Sequence, residues 1–356
     1  MKKQALTIRQ KIITFIKRSI IEGKYKPGER LPTRSQLEKQ FATSPITVQR
    51  AMDQLAREGF IEVRQRKLGT VVSRRPPHLH HYRFILPFPL DSQEMRSPFM
   101  QTLRMVAADL EANRPGTVCT FCGLSDALNA DAINQLLSDL RAERIAGLIF
   151  VYSPACFANS PILDHPGVPR VAISKDTGLP GVWHVQMNLS ELIPRALDHL
   201  KQRGCGRIAV LLNSRCDVEA DMNRLKIEAG ARGICIPPQW YLPVDWVHPL
   251  CAASCLRLLF GGDQLERPDG LFICDDALLP AALEGLKAAH LNHLPELVSH
   301  ANFPVIVKPD IPVARVGFDI SDLVSRCVRT IDAIRGGKKM PRVDTVPALF
   351  GHELTG

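Results

Sequence analysis

From residue 82 to about residue 350, short apolar runs alternate with amphipathic stretches, and this alternation constrains the fold more than any other feature. "YRFILPF", "TVCTFCG", "GLIFVY", "VPRVAIS", "VWHVQMN", "RIAVLLN" and "GLFICDD" have strand length and strand composition. Between them the spacing predicts helices over 97–113, 130–144, 190–202 and 219–232, and another in "ALLPAALEGLKAAHL". Strands that alternate with helices imply a parallel α/β sheet covered by those helices. About ten such strands are expected, and the pattern restarts near Ile208, which suggests two similar lobes.

The first 80 residues follow a different pattern. Thr7 with Gln10, and Thr33 with Gln36, have the spacing of capping boxes, so a helix should begin at each. Ile8, Ile12, Phe15, Ile16 and Ile20 share one face of the first helix; Leu37 and Phe41 face inward from the second, which should end near Phe41. Ser44 is a good N-cap, and Pro45 suits the first helical position. The third helix should bury Val48, Ala51, Met52 and Leu55, spaced i, i+3, i+4, i+7. Its opposite face carries Ile46, Gln49, Arg50 and Asp53, with Thr47 alongside. "FIEVR" and "GTVVS" follow as two short strands joined by the basic turn "QRKLG".

Three helices and a basic hairpin form the layout of a winged helix-turn-helix, whose third helix can enter a DNA major groove. There Gln49 suits adenine, Arg50 a phosphate or guanine, and Ile46 a thymine methyl, while Arg64, Arg66 and Lys67 would meet phosphates or the minor groove. The charge distribution agrees. Residues 1–77 hold 18 Lys and Arg against 6 Asp and Glu, whereas the whole chain of 356 residues has a net charge of only +9. A basic module therefore precedes a slightly acidic one, which suits a polyanionic partner, although a solvated basic face would carry the same charge.

"GKYKPGERLPTRSQLEKQFATSPITVQRAMDQLAREGFIEVRQRKLGTVV" resembles the DNA-binding domain of GntR-type bacterial transcription regulators, through "PGERLP", "SPITVQRA", "LAREGFIE" and the "GT" after the wing. The resemblance implies that Arg34, Ser35, Thr43, Ser44, Pro45, Ile46, Thr47, Gln49, Arg50, Arg64, Arg66, Lys67 and Gly69 meet DNA. Many members carry arginine where Ser35, Pro45 and Gln49 stand here; Arg34 lies one residue before the first of these.

"RRPPHLHH", residues 74–81, has no periodicity and reads as a linker whose histidines stand in solvent. The expected domains are 1–75, a linker over 76–81, and 82–356. The last part resembles the effector domain of LacI-type repressors, which is related to periplasmic sugar-binding proteins. The resemblance rests on "SPFMQTLRMVAADLEA", "ALDHLKQRGCGRIAVL", "RPDGLFICDDALLPAALEGLKAA", "LPELVS" and "ARVGFDISDLVSRCVRTIDAI". It implies a two-lobed Rossmann-like domain with a small molecule in the cleft and a dimerisation role.

Ligands of open α/β sheets gather at the carboxyl ends of strands. Those ends offer Phe88, Asp91, Tyr152, Ser153, Asn213, Asp275 and Asp276, and Phe99 opens the first helix. Asp276 matches the Asp of the family's "ND" pair. By the same resemblance Arg224, on the helix after "RIAVLLN", and Asn302, in "SHANF", would face the ligand. Carboxylates and amides suit sugar hydroxyls.

No GxxxxGK[ST], GxGxxG, HExxH or GxSxG is present, so neither an enzyme nor a cofactor or metal is expected. The ten cysteines are scattered; Cys119 and Cys122 read as strand cysteines and Cys251 and Cys255 as core packing, all reduced in a cytoplasm. No apolar run reaches about 18 residues, and charges interrupt any signal-peptide core, so neither a membrane span nor a leader is expected. The expectation is a cytoplasmic, homodimeric regulator, a repressor, that binds double-stranded operator DNA and answers to a small molecule, with a sugar favoured. Two readings stay open at this point. One is a ligand-dependent activator or corepressor-type regulator; the other is a sugar-binding or metabolic α/β protein without an operator.

Overall fold

The computed structural model describes residues 6–64, 69–124, 130–158, 160–261, 266–304 and 309–354. The head contains α1 (Ile8–Ile21), α2 (Arg34–Phe41), α3 (Pro45–Arg57), β1 (Ile61–Arg64) and β2 (Gly69–Val72). Both capping boxes form. Thr7 and Thr33 each accept from the backbone N–H three residues on, and Gln10 and Gln36 each accept from the cap's N–H in return. Ser44 caps α3 by accepting from the Thr47 N–H. Ile12, Ile16, Leu37, Val48, Ala51, Leu55 and Phe60 are completely buried and make the head's core. Phe15 and Phe41 meet edge to face at 5.6 Å at its margin. Ile8, expected inside, is 42% exposed, because it occupies the first turn of α1, before the buried run that starts at Ile12. β1 and β2 pair antiparallel, from Ile61 opposite Val72 to Arg64 opposite Gly69. Arg66 and Lys67 lie outside the described residues.

The expected linker is not a solvated tether. Residues Pro77–His80 form the short helix α4, and His78 is only 3% exposed. Its ring stacks on Phe60 of the head at 5.7 Å, nearly parallel. The reason is local crowding. Pro77 sits against Gly59, where a Cβ would come within 3.3 Å of its ring, and the Arg75 side chain lies across Gly116, where a Cβ would come within 2.0 Å. Both glycines have positive φ, which a side chain would strain in addition. Lys17 completes the joint. It is buried, pairs with Glu58 at 2.5 Å, lies over the Phe60 ring, and donates to the Ala142 carbonyl of the large domain at 2.9 Å.

The large domain has two six-stranded sheets. The first is built from β3 (His81–Leu86), β4 (Val118–Gly123), β5 (Gly147–Phe150), β6 (Arg170–Ala172), β7 (Trp183–Met187) and β13 (Val343–Val346), in the order β13-β7-β6-β5-β3-β4, all parallel. The second is built from β8 (Ile208–Asn213), β9 (Tyr241–Val244), β10 (Gly270–Ile273), β11 (Glu296–Phe303), β12 (Ala314–Asp319) and β14 (Leu349–Phe350), in the order β14-β12-β11-β10-β8-β9. Only the short edge strand β14 runs antiparallel to its neighbour. Helices α5 (Pro98–Asn113), α6 (Ala130–Arg141) and α7 (Pro161–Asp164) belong to the first lobe. Helices α8 (Leu189–Gln202), α9 (Val218–Ala231), α10 (Pro249–Phe260) and α11 (Leu279–Ala288) belong to the second. The final helix, α12 (Ile320–Arg335), returns to pack on β5, β6, β7 and β13 of the first lobe.

The chain therefore crosses between lobes three times: β7 to α8, β12 to α12, and β13 to β14. The first and third crossings are hydrogen-bonded to each other. The Asn188 N–H donates to the Val346 carbonyl at 2.9 Å, and the Ala348 N–H to Glu191 at 3.1 Å. At the second, Asp319 caps α12 by accepting from the Ser321 and Asp322 N–H groups. Cys119 and Cys122 lie on β4 as expected; Cys251 is exposed on the outer face of α10 rather than in the core. Among the described residues, no helix is long and apolar enough to cross a membrane.

Candidate functional site

Two places concentrate functional chemistry. The first is the outward edge of α3. Ile46 is 64% exposed although it is a large aliphatic side chain. Around it Ser44, Pro45 and Arg50 are exposed and Thr43, Thr47 and Gln49 half-buried; Arg34 and Ser35 extend the same surface from the start of α2. Gln49 donates to Asp53, one turn further along α3, at 2.6 Å. Arg64 on β1 reaches Glu62 at 3.4 Å, and Gly69 opens β2 with a φ of +71° that only glycine adopts without strain. Arg34 and Arg50 appear in no hydrogen bond or ion pair among the described residues, so their guanidinium groups are available to a polyanion.

The second place is the cleft between the lobes, at the carboxyl ends of the strands. Tyr152, just past β5, has Phe88 and Phe99 edge-on to it at 5.7 and 6.4 Å. This aromatic wall belongs to the first lobe. The Tyr152 phenol is held above its usual range, by desolvation first and then by the charges of Asp275 and Glu94, although the residue is still 40% exposed. Ser153 donates to Asp176 at 2.8 Å. From the second lobe, Asn213 donates to Asp275 at 2.7 Å, and Asp275 also accepts from the Ala277 N–H. Asp276, only 6% exposed, accepts from both the backbone and the side-chain nitrogens of Asn302 at 3.0–3.1 Å. Burial pushes the Asp276 carboxyl above the usual range, an effect opposed by His300, whose Nδ1 lies at 3.9 Å.

Beside Asp276 and Asn302 opens a cavity of about 480 Å³, bordered by Trp246, Arg315, Leu279 and Leu283 of the second lobe and by Arg96, Pro98, Gln101 and Thr102 of the first. Arg215 ties the lobes together across the cleft. It reaches Glu94 at 3.1 Å and Asp245 at 3.0 Å, and lies over the Trp246 ring.

The expected effector residues fall into three groups. Phe88, Phe99, Tyr152, Asn213 and Asp275 meet at the cleft, with Ser153 at its edge; Asp276 and Asn302 share the cavity. Asp91 is elsewhere. It is exposed and borders a hollow with Arg83, Cys122 and Asp139 outside the cleft, because "PFPLD" turns away from the end of β3 toward β4. Arg224 is half-buried beside Asp221 on α9, where its charge opposes the desolvation that raises the Asp221 carboxyl. Sequence reasoning missed Arg215, Trp246, Glu94, Arg96 and Arg315. Arg215 and Trp246 could have been found, since each follows a strand's carboxyl end within two residues; Arg315 could not, because it sits near the amino end of β12.

Residues 8–72 match the family model described as bacterial regulatory proteins, gntR family. The chain is 38% identical over 72 residues to the arabinose metabolism transcriptional repressor of Geobacillus stearothermophilus; the match covers 20% of this chain and 18% of that protein's length. The large domain is similar to solved structures at sequence identities that speak for the fold alone. They include a LacI family transcriptional regulator from Lactobacillus casei with bound glucose (TM-score 0.55, 15% identity, 76% of this chain and 97% of that one). The transcriptional regulator CelR–cellobiose complex matches with a TM-score of 0.55 and 17% identity, over 86% of this chain and 90% of that one. A LacI family transcriptional regulator from Enterococcus faecium with bound ribose has the same score and identity, over 76% and 96%. The fold is therefore a gntR-type winged helix-turn-helix followed by a two-lobed, periplasmic-binding-protein-like α/β domain.

Proposed function

We propose that the chain is a DNA-binding transcription regulator, a repressor, controlled by a sugar-class effector bound between its lobes. The observation that carries this is the exposed first turn of α3 in a basic head matching the gntR family, joined to a ligand-type clamshell. On this reading Ile46, Gln49 and Arg50 read base edges, while Arg34, Ser35, Thr43, Ser44, Pro45, Thr47, Arg64, Arg66, Lys67 and Gly69 position the head on the backbone. Phe88, Phe99 and Tyr152 pack against the apolar face of the ligand, and Asn213, Asp275, Asp276 and Asn302 take its hydroxyls. Two copies of the chain set two heads on half-sites about 34–36 Å apart, and closing the clamshell alters that spacing. The effector shifts the balance only by its differential affinity for the open and closed states.

The test is a gel shift on the DNA upstream of the chain's own gene and its neighbours. Binding should survive excess random DNA and weaken with salt, at a log–log slope of roughly −0.9 per phosphate contact. Gln49→Ala should cost about 1–3 kcal/mol on the preferred sequence and relax preference at one base position. A uniform loss over all sequences removes Gln49 from base reading. Binding no tighter than to random DNA rejects the regulator.

A further inference from the structure

The cavity beside Asp276 is lined by three acids, Asp276, Glu284 and Asp310, and three bases, Arg96, Lys287 and Arg315; of these, Arg315 is half-buried without a partner among the described residues, which neutral sugar recognition does not explain. Arg315 borders it from β12. Its Nε is buried without a hydrogen-bond partner, and among the described residues its guanidinium makes no ion pair. The nearby acid does not fill that role. Asp276 attracts Arg315 only at a distance and is already engaged by the backbone and amide nitrogens of Asn302, with the His300 ring nitrogen Nδ1 at 3.9 Å. Desolvation acts on both in one direction, since burial raises the Asp276 carboxyl and lowers the Arg315 guanidinium. The less charge Asp276 carries, the less of it is left to balance Arg315. Arg96 of the other lobe is a further cation at the rim, whereas Lys287 there is paired with Asp310. A guanidinium presents five N–H donors in a planar fork suited to a carboxylate or phosphate, and leaving such a group half-buried and unpaired is costly.

We infer that the effector is an anionic carbohydrate whose carboxylate or phosphate pairs with Arg315, while its hydroxyls meet Asp276 and Asn302. This deepens the regulator reading and rests on it for the location of the site. The volume of about 480 Å³ accommodates a monosaccharide with one such group. Pro98, Leu279, Leu283 and Trp246 supply apolar walls that strengthen a charge pair between them.

The experiment measures thermal shift and calorimetric affinity of the full chain against matched neutral and anionic sugars: D-glucose, D-gluconate and D-glucose 6-phosphate, and D-ribose with D-ribose 5-phosphate. An anionic member should bind at least tenfold tighter than its neutral parent; the carboxylate and phosphate arms tell the two sources apart. Arg315→Gln should erase that ratio, and Arg315→Lys should restore part of it. Equal binding of parent and anion, selectivity that survives Arg315→Gln, or no response to any anionic member overturns the inference. Operator binding without ligand, measured on the same samples, keeps the two questions separate. If it is absent while the anion still binds through Arg315, the regulator reading fails and the subsite stands.

Discussion

The molecule has two joints, and they are built oppositely. Between the head and the first lobe the contact is dry and closed. Lys17 is buried between Glu58, the Phe60 ring and the Ala142 carbonyl, and His78 is sandwiched between Phe60 and the large domain. Arg335, which lies behind His78, donates to the Ile145 and Ala146 carbonyls and is held down to about 10 by burial. Between the two lobes the contact is wet and sparse. Three crossings join them, the one ion pair described across the cleft, Arg215–Glu94, is about 40% exposed on each side, and the cavity contains an unpaired arginine. Motion should therefore concentrate in the cleft. The head should follow its lobe as a rigid attachment, so that a change in lobe angle reaches the outward edge of α3 undiminished.

The strongest way to break this contrast is to open the dry joint. Lys17→Met leaves Glu58 inside without its partner, and removing one member of a buried pair is costly; the expected loss is about 3 kcal/mol in denaturant titration of the full chain. Replacing both, as Lys17→Met with Glu58→Met, should recover most of it. If the single change costs under about 0.5 kcal/mol, the pair behaves as an exposed one and the joint is not dry.

Acid attacks the same joint more gently. Burial first, then the positive charges of Arg335 and His80, push His78 down to about 3, and burial pushes His81 down to about 4. Away from the joint such a histidine takes up a proton near pH 6.5, whereas in place it stays neutral. Stability is thus complete above pH 6.5 and falls as the pH drops below it, by about 1.4 kcal/mol per pH unit for His78 alone. His78 alone should contribute about 2 kcal/mol to the difference between unfolding at pH 7 and pH 5, and His78→Phe, which keeps the stack on Phe60, should remove that part and leave the smaller slope that His81 supplies. A profile that His78→Phe leaves unchanged assigns the acid sensitivity to another group.

The two joints also differ in how far they could be read from residue order. The head was legible because its signals are local. Caps lie three residues from their partners, and the stripe Val48, Ala51, Met52, Leu55 is buried as its spacing requires. The joint was not legible. Nothing near "RRPPHLHH" reveals that Phe60 and Arg335 will enclose His78, since these contacts join residues far apart in the chain. In the large domain the long apolar strands were readable. β9, β13 and β14 were not, because "YLPV" contains a proline, "VDTV" is half polar, and "LF" is two residues long. At the cleft, residues just past a strand's end were accessible to reasoning, and Phe88, Tyr152, Asn213 and Asp275 do gather there. Asp91 missed the cleft because the turn after β3 is free to leave in either direction, and Arg315 escaped notice because it reaches the cavity from the strand's other end.

The smallest effect tests the wet joint. Glu94→Gln removes the Arg215 contact across the cleft, and solvent screening limits such a pair to about 0.5 kcal/mol. An effector that prefers the closed lobes should then lose roughly twofold in affinity, with operator binding in its absence nearly unchanged. Raising the salt to 0.5 M should mimic the substitution in the unaltered chain, because an exposed pair is screened and a buried one is not. The two treatments should also fail to add, since each removes the same attraction. A tenfold loss on Glu94→Gln would instead place Glu94 against the ligand itself, and the lobes would then be held apart or together by the crossings alone.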